Sequence, residues 1–400
     1  MNSREVAFQV LRQSALKQVL ADELLAETLA RTPLSPPDRA LATELFYGCL
    51  RQQLALEYLV HQLVARPPRT VIAQILHLGL YQLLFLDRVP AHAAVHETVE
   101  LAKRHGSVSE TKFVNAILRK TVGATRDQLL KNAEPWVRLS HPLWLWKRWS
   151  RRWGVEQTTA LCEWNNQSPP VYVRVNTLRT APRTPLCYPI ADPTGLFDSP
   201  SWKNGELYVQ DPSTLVAVDV LDPQPGESVL DMCAAPGGKT TYIAQKMQNR
   251  GRIIAADSSN TRLGLVGENC QRLGVTIVAS IPCEGTRLDR CLRGDLFDRV
   301  LVDAPCSNTG VMRRRPDLRW RLEEKEITRL AELQTKLLTK AAEFVRPGGV
   351  LVYSTCSLEA EENEQVIQHA PAGLTLKTQR QLFPPQDKMD GAFIARFTKK

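Results

Sequence analysis

From Leu207 onward, short apolar runs alternate with amphipathic stretches, and that alternation restricts this part of the chain to a parallel sheet covered by helices on both faces. The strand-like runs are Ser228–Met232, Arg252–Asp257, Thr276–Ile281, Arg299–Asp303 and Val350–Ser354. Helical patterns fall between and after them, at Thr240–Met247, Thr261–Leu273 and Glu323–Phe344, with an acidic helix at Ala360–His369. In such sheets the ligand site lies beyond the carboxyl ends of the strands. Each unusual residue cluster in this half falls at such an end.

The front of the chain follows a different rule. Val6, Leu11, Leu16, Leu20, Leu24, Leu25 and Leu29 form an amphipathic stripe that Pro33 ends, and Ser35-Pro-Pro-Asp38 starts the next helix. Ala40 to Leu63 is again apolar at helical spacing, and further helices are expected at Val71–Leu86, Ala91–Arg104 and Glu110–Lys120. A helical bundle is therefore expected over residues 1–125 and the α/β domain over 206–400, with a linker and a small subdomain over 126–205. The middle part carries 11 Lys and Arg against 6 Asp and Glu, whereas the last 195 residues are nearly neutral with 26 against 25. A basic front half suits a polyanionic partner. Trp136, Trp144, Trp146, Trp149, Trp153 and Trp164 lie among Arg138, Lys147, Arg148, Arg151 and Arg152. That mixture suits base stacking with phosphate contact, or else a helical pair that buries its tryptophans.

With 43% hydrophobic and 23% charged residues, a disordered or fibrous chain is excluded. Nine cysteines without a CxxC pair exclude a disulfide scaffold, and no His/Cys spacing suits zinc, so no metal is expected. The first residues lack an apolar signal core, and Val71–Leu86 is interrupted by Gln74, His77 and Gln82. The expectation is a reduced, soluble, cytoplasmic protein with no membrane contact and no obligate protein partner.

After the first strand comes Asp231-Met-Cys-Ala-Ala-Pro-Gly-Gly-Lys-Thr-Thr241. Gly237 and Gly238 let a ligand approach the backbone at a helix N-terminus. A phosphate-binding P-loop would need glycine at 233, where Cys233 stands, although Asp303 after an apolar strand imitates the magnesium-holding aspartate of such enzymes. The rival ligand is an adenosine-bearing, cationic cofactor. Asp257 would accept hydrogen bonds from ribose hydroxyls and Glu284 would meet an adenine amino group. S-adenosylmethionine fits that description.

Two cysteines stand at strand ends, in Asp303-Ala-Pro-Cys306 and Ser354-Thr-Cys-Ser357, while Cys49, Cys162, Cys187, Cys270 and Cys291 read as inert core residues. A thiol with a reference pKa of about 8.5 needs a helix N-terminus or a cation to ionise. Arg313-Arg-Arg315, seven residues beyond Cys306, is one source of charge, and a cofactor sulfonium another.

The strings VLDMCAAPGGKTTYIA, VDAPCSNTGVMRRRPDLRW and YSTCSLEAEENEQVI resemble the signature motifs of the Sun/NusB family of RNA cytosine-5 methyltransferases. DRALATELFYGCLR and KFVNAILRK resemble that family's NusB-like RNA-binding domain. The resemblance implies an all-α NusB-like domain followed by a Rossmann-like, S-adenosylmethionine-dependent methyltransferase domain with a mostly parallel sheet. The implied substrate is a cytosine of RNA, most often small-subunit ribosomal RNA. Carried over by position, Cys356 would attack carbon 6, Cys306 would serve the elimination that frees the product, and Asp303 would bind the pyrimidine edge. The cofactor would lie among Cys233, Ala234, Ala235, Pro236, Gly237, Gly238, Lys239, Asp257, Glu284 and Asp303. Arg174 and Asn176, in a segment like the start of the family's small subdomain, would contact RNA. Asn308 replaces the motif's usual glycine, Glu284 a more usual aspartate, and Thr180–Leu207 is short for the family. The residues alone leave a P-loop nucleoside triphosphatase and a non-catalytic NusB-like RNA-binding protein as alternatives.

Overall fold

The structure, a computed structural model, describes residues 1–14 and 21–400. The expected stripe positions Leu16 and Leu20 lie outside the described residues. The contacts divide the chain into two units, one of Met1–Gln167 with Met312–Arg321, the other of Ser168–Val311 with Leu322–Lys400. Expected segment 126–205 is thereby shared between the units, because its helices pack with the front of the chain and its strands with the back.

The first unit is helical. Its front, among the described residues, holds α1 (Ser3–Ser14), α2 (Ala21–Arg31), α3 (Pro36–Arg51), α4 (Gln53–Leu63), α5 (Thr70–Phe85), α6 (Ala91–His105) and α7 (Val108–Thr121). Ser35 caps α3 by accepting from the Asp38 N–H, with Pro36 in the first turn. Ser107 and Glu110 form a reciprocal capping box on α7. The expected single stretch Ala40–Leu63 divides at Gln52 into α3 and α4. Phe8, Leu45, Phe46, Leu56, Leu76 and Leu118 meet in one core of fully buried side chains.

A longer helix, Leu143–Asn165, is interrupted at Gly154, where φ is 82°. It carries five of the six clustered tryptophans. Trp149 is fully buried, and none of the six is exposed. Trp146 and Trp149 are buried as the second reading of this segment expects, and Trp136, Trp144, Trp153 and Trp164 are half-buried. The returning segment adds Arg319, itself buried, which donates to the Arg51 and Asn165 carbonyls and to Asn166 Oδ1. Trp320 donates to the Leu50 carbonyl at 2.8 Å.

The second unit contains two sheets. A small antiparallel one has the order β2-β1-β3, with β1 (Val171–Val175) between β2 (Cys187–Ile190) and β3 (Leu207–Val209). Pro189 sits in the edge strand β2, where the absence of an N–H is tolerated. The large sheet has the order β6-β5-β4-β7-β8-β10-β9. Its strands are β4 (Ser228–Met232), β5 (Arg252–Asp257), β6 (Val278–Pro282), β7 (Phe297–Asp303), β8 (Val345–Thr355), β9 (Leu374–Leu382) and β10 (Ala392–Lys399). The five from β4 to β8 are parallel and β10 runs against both neighbours.

Alternate residues of each central strand face opposite layers, as the two-residue strand period requires. Val229, Ile253 and Ala255 pack with the helices Ser213–Leu221, Gly238–Lys246 and Asn260–Leu273. Leu230, Ile254 and Ala256 pack with Glu324–Phe344 and Glu364–Gln368. The chain leaves β4 toward β5 and β6 on one side and returns through β7 and β8 on the other. The order therefore reverses between β4 and β7, where a ligand crevice is expected. The acidic helix expected at Ala360–His369 is shorter, Glu364–Gln368. Glu362 and Asn363 turn their side chains to the neighbouring loops, which competes with helical backbone pairing. Among the described residues, no helix is long and apolar enough to cross a membrane.

Candidate active site at the strand ends

β4 ends in Asp231 and Met232, and the chain turns through Cys233 at φ 61° and Gly237 at φ 100° before the helix Gly238–Lys246 begins. A Cβ on Gly237 would stand 3.2 Å from the Val266 Cα, so a side chain there would be both strained and crowded. Neighbouring side chains hold this loop. Asp257 accepts from the Ala235 N–H at 3.1 Å and the Ser259 N–H at 2.9 Å, while Arg262 donates to the Ala235 carbonyl at 2.6 Å. Asp257 thus caps the loop and keeps further acceptor capacity, since a carboxylate offers about four lone-pair sites.

Asp231 is fully buried, with one oxygen accepting from the Thr240 hydroxyl at 2.6 Å and the other, Oδ1, without a partner. Burial pushes this carboxyl up to about 7; the Thr240 bond opposes the shift and the Asp303 charge adds to it. Lys239, from the same loop, donates to Asp303 at the end of β7 at 2.6 Å. Burial alone would lower the Lys239 ammonium, but Asp303 outweighs it, with help from Cys356 and Asp231, and the net shift is upward. Burial raises the Cys233 thiol, and Asp257, Asp303 and Asp231 push it further. The loop therefore sits among three carboxylates, one ammonium and the Arg262 guanidinium. An orphaned buried carboxylate oxygen among them fits a cationic ligand better than a triphosphate.

The parallel register of β7 and β8 pairs Asp303 with Ser354. The Ala304 N–H continues that pairing by donating to the Ser354 carbonyl at 2.9 Å, and the Gly310 N–H donates to the Cys356 carbonyl at 2.9 Å. A Cβ on Gly310 would lie 2.8 Å from that same carbonyl oxygen. These constraints bring Cys306 Sγ to 3.2 Å from Cys356 Sγ. The bond to Cys356, then burial, raise the Cys306 thiol well above its ordinary value. Behind the pair, the fully buried Glu362 accepts from the Ser307 N–H at 2.8 Å, from the Ser357 hydroxyl at 2.5 Å and from Gln334 at 2.9 Å. Glu362 thereby ties together the residues that follow the two cysteines. Sequence reading missed it, because the acidic run Glu359–Glu364 looks like a solvated helix face.

The site therefore assembles Cys233, Lys239, Asp257, Asp303, Cys306 and Cys356. Glu284 follows β6, but it is exposed and its carboxylate pairs with Arg287 at 3.3 Å. Two expectations need correction. Arg174 and Asn176 are not exposed for contact with RNA, because both are buried and hydrogen-bonded within the unit. Arg174 donates to the Gly238 carbonyl at 2.9 Å, Thr241 Oγ1 at 3.0 Å and Gln210, and Asn176 donates to the Gly205 and Leu273 carbonyls at 2.8 Å. Lys239 interacts electrostatically with Cys356, and Arg313 lies 4.3 Å over the Trp164 ring. Cys291, read as an inert core residue, is disulfide-bonded to Cys283. A cavity of about 600 Å³ in the helical unit, lined by Cys49, His61, His77 and Trp320, includes none of the expected site residues.

A doubly wound sheet with a glycine turn after its first parallel strand, acidic strand ends and paired thiols defines a Rossmann-like methyltransferase domain. The profile of the family described as 16S rRNA methyltransferase RsmB/F matches residues 218–372, that of the NusB family residues 1–122, and that of the RsmF/B-like ferredoxin-like domain residues 141–186. The "Probable ribosomal RNA small subunit methyltransferase B" of Synechocystis sp. is 36% identical, covering 100% of both chains. The "Ribosomal RNA small subunit methyltransferase B" of Klebsiella pneumoniae is 35% identical over 100% of this chain and 99% of its own. Among solved structures, PH0851 matches with a TM-score of 0.80 at 25% identity over 100% of this chain and 99% of that one. NSun6 from Pyrococcus horikoshii, crystallised with SFG, matches with 0.58 at 25% identity, over 64% of this chain and 98% of that one. The chain belongs to the RsmB/F methyltransferase family, with a NusB domain at its front. The P-loop reading falls with that membership.

The folded chain binds the Asp231 proton more tightly than the unfolded chain does. The resulting stabilisation is complete below the ordinary value of 3.8 and is lost as pH rises through about 7. Between pH ~5 and ~7, the ligand-free protein should lose stability relative to Asp231→Asn by up to about 1.4 kcal/mol per pH unit. Denaturant unfolding at several pH values measures this, and parallel curves for the two proteins contradict it. Arg174→Met should lower the thermal midpoint of the sheet unit, with a loss of about 2–4 kcal/mol from its hydrogen bonds. It should leave RNA retention on filters unchanged; weakened RNA binding in a fully folded variant contradicts the buried role.

Proposed function

We propose that this protein transfers a methyl group from S-adenosylmethionine to carbon 5 of a cytosine in small-subunit ribosomal RNA, through a transient bond between Cys356 and carbon 6. The observation that carries this reading is the 3.2 Å pairing of Cys306 and Cys356 beside the acidic crevice. Relatives named for methylation of small-subunit ribosomal RNA support the substrate class. SFG, an S-adenosylmethionine analogue in the NSun6 crystals, supports the cofactor.

Residues Cys233–Lys239, Asp257 and Asp303 would hold the cofactor, with Glu284 toward its adenine. When bound, the cofactor supplies an electrophilic methyl group on a sulfonium. An unactivated pyrimidine carbon is a poor nucleophile, and covalent catalysis removes that obstacle. The target cytosine leaves its stack so that carbons 5 and 6 reach the thiols. Cys356, as thiolate, forms the Sγ–C6 bond, and the electron pair of the C5–C6 double bond becomes available at C5. Asp303, held by Lys239 at 2.6 Å, faces the developing charge at N3 and helps to protonate it. Carbon 5 then takes the methyl group. Cys306 gives its own thiol proton to water and, as thiolate, removes the C5 proton; the double bond re-forms, N3 gives up its proton, and the Sγ–C6 bond breaks to return Cys356 as thiolate. The NusB domain and the exposed basic residues of 126–205 serve RNA binding, and the protein acts in the cytoplasm.

Substituting each cysteine separates their roles. Cys356→Ala should abolish methylation and form no covalent adduct. Cys306→Ala should accumulate a slow-migrating protein–RNA band in denaturing electrophoresis, because the bond forms and the elimination fails. Normal turnover by Cys356→Ala overturns the assignment of the nucleophile. Bisulfite sequencing of ribosomal RNA from a strain lacking the gene identifies the modified position.

A further inference from the structure

Asn308 sits two residues after Cys306 with φ 59°, a left-handed conformation that Asn tolerates and most other residues avoid. Its carboxamide spans the two cysteines. Nδ2 donates to the Cys306 carbonyl at 2.7 Å, and Oδ1 lies 2.9 Å from Cys356 Sγ. The first contact fixes the amide orientation, since a carbonyl oxygen can only accept. The oxygen, not the NH2, therefore faces the sulfur. Cys356 must then be the donor, which requires its proton.

We infer that Asn308 is a positioning residue that holds the Cys356 thiol in its protonated, resting form until substrate displaces the contact. The inference rests on the reading of Cys356 as nucleophile and adds the control of its reactivity. A thiolate facing a carbonyl dipole at this distance would lose the hydrogen bond and meet repulsion instead. Release is useful only when a cytosine is in place, because a free thiolate 3.2 Å from Cys306 is open to alkylation and oxidation.

The other charged or titratable groups facing the Cys356 sulfur and its neighbour are Cys306 itself at 3.2 Å, Lys239, which interacts with Cys356, Asp303, which pairs with Lys239, and Glu362 and Tyr353, which interact with Cys306. They stay the same when only residue 308 changes. Glycine suits a positive φ and removes the acceptor. Aspartate also tolerates the conformation and places a full negative charge beside the sulfur. Each changes the thiol in an opposite direction.

The test is pulse alkylation of the full-length protein with iodoacetamide from pH ~6 to ~9, followed by mass spectrometry of the peptide containing Cys356. At pH ~7, Asn308→Gly should be alkylated roughly fivefold faster than the parent, the loss of one hydrogen bond of about 1 kcal/mol. Its rate profile should move to lower pH. Asn308→Asp should be slower than the parent, with its profile moved to higher pH. Equal rates for Asn308 and Asn308→Gly, or an aspartate variant faster than the glycine one, overturn the inference. Should the aspartate variant fail to fold, the glycine comparison decides alone. The control on the underlying reading is separate: retained turnover by Cys356→Ala removes the nucleophile assignment, whereas an unmoved alkylation profile removes only the role of Asn308.

Discussion

The chemistry of this protein depends on one strand register. Pairing Asp303 with Ser354 across β7 and β8 places two loops side by side where the sheet order reverses. Two further main-chain bonds, Ala304 to Ser354 and Gly310 to Cys356, continue the pairing past the ends of the strands. A slip of one residue would turn the side chains following one strand to the opposite face. The thiols of Cys306 and Cys356 would then part, and Asp303 would leave Lys239. The apolar residues of both strands, buried on two faces, hold that register.

Around this frame the interior holds buried polar groups of two kinds. Arg174, Asn176, Asp257, Glu362 and Asn363 are hydrogen-bonded within the unit and fix loop backbones. Asp231 retains an unpartnered oxygen and a raised proton affinity. Buried polar groups left unsatisfied weaken a fold. An unpartnered carboxylate oxygen with raised proton affinity at the sheet end is consistent with a site arranged for a ligand instead of for stability alone. Lys239 connects the two parts of the site, because it comes from the glycine loop of β4 yet pairs with the aspartate of β7.

Most of the architecture was legible because apolar periodicity reports directly on burial. β4 and β5 have the limits that their apolar runs suggest, and the parallel order follows from the helices between them. The glycine loop and both cysteine segments were legible because glycine, proline and cysteine mark special backbone or chemistry in few residues. Long-range pairing was not. β9 and β10 add two antiparallel strands, but β9, with mostly exposed side chains, leaves little apolar alternation to read. Arg174 and Asn176 lie in a segment that resembles the start of the family's small subdomain and so read as RNA contacts, and only the fold reveals that they buttress the helix Gly238–Lys246 and the loops beside it. Glu362 looks like one acidic residue among several, until the serines after both cysteines converge on it. The tryptophans between 136 and 164 allowed two readings, and packing buries Trp146 and Trp149 while half-burying the other four.

The central claim is that the sulfur of Cys356 bonds to the pyrimidine while that of Cys306 does not. Replacing the target cytosine of the RNA with 5-fluorocytosine leaves no C5 proton to remove, so a covalent intermediate would be trapped after methyl transfer. Isolation of that complex, proteolysis and mass spectrometry locate the attachment. The account predicts one methylated fluoropyrimidine nucleotide on the peptide containing Cys356. Attachment at Cys306, or no adduct from a protein that turns over ordinary RNA, would contradict it.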